Sequence, residues 1–282
     1  MAERYNRDDD DDRPQRSNPD RDDDERPRRR DRDDDREPPA QRPAKKGMST
    51  GLIIGIVVGV LLICVAAPIA LVLPGVSKVR TAASRAKESN NLKQMGLAAH
   101  AYHDSNSRLT NGPYAGFASP NTELSFRVEL LPYMEQDYLY KQFRTDEAWD
   151  SATNRPLANT PVPPLVSPID PPGTVTTRYR GFVGPGSVFE PGAKVNMTSI
   201  VDGLSNTIYV VMADDGVIWS KPEELYYTAN GPLPTIGQKS YSGGTLILLC
   251  DGSVKMLSNK TSETVMRALI TRNGGEELPP DW

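Results

Sequence analysis

Twenty-three consecutive uncharged residues, GLIIGIVVGVLLICVAAPIALVL from Gly51 to Leu73, constrain this chain more than any other feature. As a helix rising about 1.5 Å per residue, the run is long enough for a hydrocarbon core of roughly 30 Å. It shows no polar face of the kind a soluble buried helix of that length carries. The expectation is a transmembrane helix over residues 51–73, kinked at Pro68, where a helical hydrogen bond is lost. Fifty polar residues ahead of the run fit a signal anchor better than a cleaved signal peptide.

The residues in front are a different material. Residues 1–50 hold 14 Lys/Arg and 16 Asp/Glu, with Asp8 to Asp12 and Arg28 to Arg30 in blocks and prolines scattered between. Such a segment buries too little apolar surface to offset chain entropy, so residues 1–50 read as a disordered charged tail. Arg36, Arg42, Lys45 and Lys46 before the apolar run are matched by Lys78, Arg80, Arg85 and Lys87 after it, so the positive-inside count is a tie. Without an export signal ahead of it the tail is expected to stay cytoplasmic. Residues 74–282 are then an extracytoplasmic domain of a protein in the cytoplasmic (inner) membrane, with the bilayer and unidentified envelope proteins as partners.

Residues 74–282 begin with a helical pattern, Val79, Ala82, Ala83, Ala86, Leu92, Met95, Ala99 and Tyr102, at spacings of three and four. That helix should stop near His103 to Ser107, with Gly112-Pro113 barring its continuation. One or two short helices are expected within Phe126 to Phe143, then an irregular Pro-rich stretch from Pro156 to Pro172. Strand-like segments follow at Thr176 to Val183, Asn206 to Ala213, Gly216 to Ser220, Thr245 to Cys250 and Ser253 to Leu257. Asp251-Gly252 between the last two predicts a hairpin with a type I′ turn. A last helix is expected from Ser262 to Arg272, N-capped by Thr261 and stopped at Asn273-Gly274-Gly275. The fold class is α+β: a long N-terminal transmembrane helix running into a domain with an antiparallel sheet and a short C-terminal helix.

Several segments of this domain resemble, in order, a bacterial pseudopilin-like family classed as a domain of unknown function (domain of unknown function 1559). They are NNLKQMGLAAHAYHD from Asn90, LLPYMEQ from Leu130, YRGFVGPG from Tyr179, DGLSNTIYVV from Asp202, IWSKPEEL from Ile218, CDGSVKML from Cys250 and ALITRNGGE from Ala268. The resemblance implies a pilin-like domain with a structural or protein-interaction role in the envelope. Three departures accompany it. Gly47-Met48-Ser49-Thr50-Gly51 stands where relatives carry a cleavable leader, and the apolar run lacks the acidic residue that guides filament assembly. Tyr241 occupies the family's His position ten residues before Asp-Gly. Glu88 and Ser167 stand where relatives carry cysteines, so a disulfide found elsewhere in the family is absent here.

Chemistry-bearing constellations are sparse. His100 and His103 share a helical face beside Asp104, but no third and fourth metal ligand is marked, so packing or helix-end capping is the better reading. Asp214-Asp215 with Asp202 or Asp251 lacks the alternating spacing of a calcium loop. Gly203-Leu204-Ser205-Asn206 is no nucleophile elbow. Trp149, Trp219, Tyr226 and Tyr227 read as packing rather than a ligand surface. Cys64 and Cys250 are too few for a disulfide framework, and no intrachain bridge is expected. A formal charge of -4 and the lack of a basic, aromatic-interleaved stripe argue against nucleic acid. No catalytic residue, metal ligand or cofactor is assigned, and the chain is not expected to be an enzyme. The alternatives are a minor pseudopilin of a secretion or pilus assembly, and an envelope ligand-binding protein or hydrolase with a pocket between the sheet and residues Pro156 to Pro172.

Overall fold

The structure, a computed structural model, describes residues 47–110, 124–237, 241, 243–280 and 282, leaving the side chains of 66–76 undescribed. The expected disordered tail, the kink at Pro68 and the stop at Gly112-Pro113 lie outside what is described. The chain divides into two compact units, Met1–Val58 and Gly59–Trp282.

Helix α1 runs from Thr50 to Asn106. It ends where His103, Asp104, Ser105 and Asn106 crowd together, with Ser107 at a φ of 55° breaking the helical path. The described part of the first unit is the start of this helix.

The expectation of a transmembrane helix is overturned: among the described residues, no helix is long and apolar enough to cross a membrane. The described apolar side chains of the run extend from Gly51 to Val65, fifteen residues. A crossing helix needs roughly twenty.

In the second unit, short helical pieces follow α1. They are α2 (Phe126–Leu130), a 3-10 turn at Leu131–Met134, α3 (Asp137–Tyr140) and α4 (Asn154–Ala158), the last inside the Pro-rich stretch. Ser125 caps α2, its hydroxyl accepting the Arg127 amide. The sheet comprises β1 (Thr176–Arg180), β3 (Ile208–Ile218), β5 (Gly244–Leu249) and β6 (Val254–Ser258), antiparallel in the order β1-β3-β5-β6. A side ribbon pairs β2 (Phe182–Val183) with β4 (Leu225–Tyr226) in parallel. Helix α5 (Glu263–Ile270) closes the domain, capped by Ser262 rather than Thr261. The α+β class with an antiparallel sheet and a short C-terminal helix therefore holds.

Apolar runs such as IYVVMA and TLILLC reflect a sheet covered on both faces. Leu246, Leu248 and Cys250 face a core built with Leu92, Met95 and Ala99 of α1. Ile247 and Leu249 face a second core with Met266 and Leu269 of α5. Alternation fails once, at Tyr209 and Val210, which both face the first core. A register shift between Ile208 and Val210 explains it. The bulge makes Tyr209 an extra residue and aims its ring at Phe189, 5.1 Å away, and its hydroxyl at Thr110, 2.5 Å away.

Two expectations change in detail. Asn206 to Ala213 and Gly216 to Ser220 were expected as separate strands, but β3 is continuous because the register with β1 slips between Thr177 and Tyr179, leaving Asp214 to Gly216 as a bulge. At Asp251-Gly252 the hairpin is present, yet only Gly252 has a positive φ, 83°. The Gly252 amide donates to Leu249 O at 3.0 Å and the Leu249 amide to Ser253 O at 2.9 Å. That pattern is a type I turn followed by a glycine bulge instead of type I′. The amides of Cys250 and Asp251 are held by Thr207 O and Leu204 O, which anchors the turn in the longer form.

Candidate functional site

The polar centre of the domain forms where α1 meets the Pro-rich stretch. Glu88 and Asn91, three apart, project from one helical face. Glu88 is fully buried, and its Oε2 accepts from Ser167 Oγ at 2.7 Å and from the Tyr241 hydroxyl at 3.4 Å. Asn91 Nδ2 donates to Val166 O at 2.9 Å and to the Tyr179 hydroxyl at 3.1 Å. Four segments are thereby clasped: α1, the stretch around Val166 and Ser167, strand β1 through Tyr179, and the bridge residue Tyr241. Glu88, Ser167 and Tyr241, each singled out in the sequence, meet here.

The clasp is not fully satisfied. Among the described residues, Glu88 Oε1 and Arg85 Nε are both buried without a hydrogen-bond partner, while the Arg85 guanidinium lies 5.2 Å over the Tyr241 ring. Burial raises the Glu88 pKa above its ordinary 4.5, outweighing hydrogen bonds from Tyr179, Ser167 and Tyr241 that lower it, and Asp170 pushes it further up. Burial first, and then the neighbouring Glu88 carboxylate, push the Tyr179 and Tyr241 phenols up, so both remain donors at neutral pH. Ser167 is fully buried, with its hydroxyl committed to the Glu88 carboxylate.

Outside the clasp lies a groove of about 540 Å³ between α1 and the Pro-rich stretch. Arg80, Ala83, Ser84 and Lys87 form one wall; Pro161, Pro163, Pro168 and Pro172 form the other. The expected pocket between the sheet and residues Pro156 to Pro172 is therefore walled by α1. Asp170 at its edge is taken by Arg178, whose Nε reaches both carboxylate oxygens at 3.0 and 2.9 Å.

A second buried polar centre was missed in the sequence. Arg127 and Glu224 are paired at 2.9 Å with their side chains at 0% and 1% exposure. The guanidinium also donates to Trp219 O at 2.8 Å, Tyr179 O at 2.8 Å and Lys221 O at 3.0 Å. Glu224 accepts the Gly181 amide at 2.9 Å. Completing both partners' bonds is what makes a buried ion pair tolerable. The available signal was an arginine inside the apolar FRVEL segment.

The residues singled out for chemistry disperse. His100 Nε2 bonds Cys250 O at 2.9 Å, whereas His103 Nε2 accepts the Met197 amide at 3.4 Å, so the two rings hold different segments. Asp202 accepts the amides of Gly274 and Gly275 at 2.6 and 2.9 Å. Asp214 sits in the β3 bulge, where its carbonyl accepts from Arg178. Asp251 accepts the Ser253 amide at 2.8 Å within its own turn. Among the described residues, no group of three His, Cys, Asp or Glu is placed to hold a metal ion.

Trp219 is buried and donates to Thr160 O at 2.9 Å, and Tyr227 lies in the second core. Tyr226 is exposed, and Trp149 packs at the margin of the first core. Both cysteines are free, with Cys64 exposed and Cys250 buried. Burial pushes the Cys250 thiol pKa far up, leaving it inert as a nucleophile.

This geometry defines an α+β domain in which a long helix and a Pro-rich stretch are clasped to one face of an antiparallel sheet through buried polar groups. Residues 77–186 match the model of the family described as a protein of unknown function (DUF1559), which supports assigning the chain to it. The match takes in Glu88, Ser167 and Tyr179 and ends before Tyr241. No curated protein and no solved structure matches the chain.

Proposed function

We propose that this chain is a non-catalytic, pilin-like interaction module of the bacterial cell envelope, attached to its neighbours through the apolar residues at the beginning of α1. One observation carries the reading. Large apolar side chains stand open to solvent on this helix in both units, among them Leu52, Ile54 and Val57 in the first and Leu61, Leu62 and Ile63 in the second. Single exposed apolar residues need no explanation, but runs of them mark surfaces that a partner covers.

The non-catalytic part of the reading draws on the dispersal of His100 and His103 into separate structural bonds and on the burial of Ser167. The test uses Cys64, the exposed thiol among these residues, with Cys250 buried as an internal control. Thiol-specific crosslinking in intact cells is expected to give discrete products that disappear in Cys64→Ser and weaken in Leu61→Asp. Products containing only this chain would favour the minor-pseudopilin form of the reading. Absence of any Cys64-dependent product would contradict the module role.

The groove between α1 and the prolines supports the second reading, a ligand-binding protein. Its walls combine two cations with rigid apolar rings, a lining that accepts a ligand with an anionic end. A thermal-shift screen against small carboxylates and phosphates separates the two readings, since an interaction module needs no such ligand to reach full stability.

A further inference from the structure

Helix α1 carries Lys78, Arg80 and Lys87 exposed within three turns, and among the described residues none of them is in an ion pair. Several other arginines of the domain are matched: Arg108 with Glu129 at 3.3 Å, Arg178 with Asp170 at 2.8 Å, Arg272 with Glu190 at 2.5 Å. No Asp or Glu occurs from Gly51 to Lys87, and the first carboxylate reached, Glu88, is buried in the clasp. The next on the helix is Asp104.

Arg80 and Lys87 are seven apart and bracket Ser84 on the face that walls the groove, while Lys78 belongs to the neighbouring face with Arg85. Of the facing groups, Asp170 is neutralised by Arg178, and Arg85 is stacked on Tyr241. Among the described residues, no carboxylate is paired with these cations.

We propose that this belt docks on the phosphate headgroups of an anionic phospholipid surface. Charge complementarity calls for an anion. Exposed apolar residues precede the belt on the same helix, and a lipid surface accepts both kinds of side chain at its interface without being crossed. The lipid choice rests on the envelope reading above; the charge argument does not. Each cation near such a surface contributes about a fivefold gain in binding, so removing three costs on the order of a hundredfold.

The test is co-sedimentation of the full-length protein with phosphatidylcholine vesicles and with mixed phosphatidylcholine–phosphatidylglycerol vesicles. Wild type is compared with a triple Lys78→Gln, Arg80→Gln, Lys87→Gln variant whose thermal unfolding is first matched to wild type. The expected result is a preference for the anionic vesicles that high salt screens and the triple variant loses, with binding to neutral vesicles unchanged. Equal wild-type binding to both vesicles overturns the proposal, as does a preference that survives in the triple variant, which would assign it to the basic residues of the tail. Full competition by inorganic phosphate at constant ionic strength, or equal competition by an acidic peptide, also overturns it, in favour of a free-anion pocket or a protein partner. Lack of an anionic preference in the wild type, with Cys64 crosslinking intact, would refute the lipid belt alone.

Discussion

From Glu88 to Tyr102, helix α1 meets the sheet, the Pro-rich stretch and the 250–253 turn, with Leu92, Met95 and Ala98 fully buried. From Leu52 to Val65 the same helix meets nothing that is described, although its side chains are more apolar. Burial in this chain thus does not follow hydrophobicity. It follows where polar groups find partners: Glu88, Asn91 and His100 bind the helix to four other segments, whereas the apolar stretch has no polar group to fix a register. The packed part belongs to the domain's core, and the open part is the surface that the proposed reading assigns to partners.

Core truncation should separate the two regions most widely. Leu92→Ala is expected to cost about 2–5 kcal/mol of unfolding free energy by urea titration. Leu61→Ala should change it by less than about 0.5 kcal/mol. Similar losses at both positions would break the contrast.

A glycine tests the closeness of the packed part. A Cβ at Gly96 would lie 3.0 Å from Leu248 Cδ1 and 3.2 Å from Gly252 Cα, the latter backbone that cannot swing aside. Gly96→Val should destabilise by about 1–3 kcal/mol through overpacking. The same change at Gly59, with open space around it, should leave the domain's unfolding midpoint where it is.

His100→Ala should be smaller, about 1 kcal/mol, for one hydrogen bond to Cys250 O. Faster amide exchange confined to the 250–253 turn would show that the loss is local.

The clasp itself is read best through pH. Because burial raises the Glu88 pKa above the 4.5 expected of the unfolded chain, the folded state holds an extra proton between the two values. Its stabilising contribution is complete below about pH 4.5 and is lost as pH rises through the folded pKa. Glu88→Gln should flatten that part of the stability profile, and unfolding midpoints measured across it would show whether the slope disappears.

Much of the packed region was legible because it rests on local chemistry. The apolar spacing of Leu92, Met95 and Ala99 marked the helix face, the polar cluster at 103–107 marked its end, and Asp251-Gly252 marked the hairpin. What escaped depends on partners distant in sequence. Tyr209 could not be seen as a bulge from its own strand, since alternation is disturbed only relative to β5. The type I′ turn failed because Thr207 and Leu204 hold the amides of the loop. Glu88, Ser167 and Tyr241 were each noted as departures from the family, but their convergence spans 79 and 153 residues and no periodicity records it. Arg127 and Glu224 were missed for the same reason.

The transmembrane expectation failed differently. It treated apolar length as sufficient, and among the described residues that length is not reached.

The contrast between the two parts of α1 is tested most directly by maleimide labelling of Cys64. In purified full-length protein the thiol is exposed and should react quickly. In intact cells a bulky maleimide is expected to be excluded, although a small crosslinker still reaches the thiol, and to react only when detergent removes whatever covers the apolar residues. Equal labelling in cells and in purified protein would contradict the reading of this stretch as a covered contact surface.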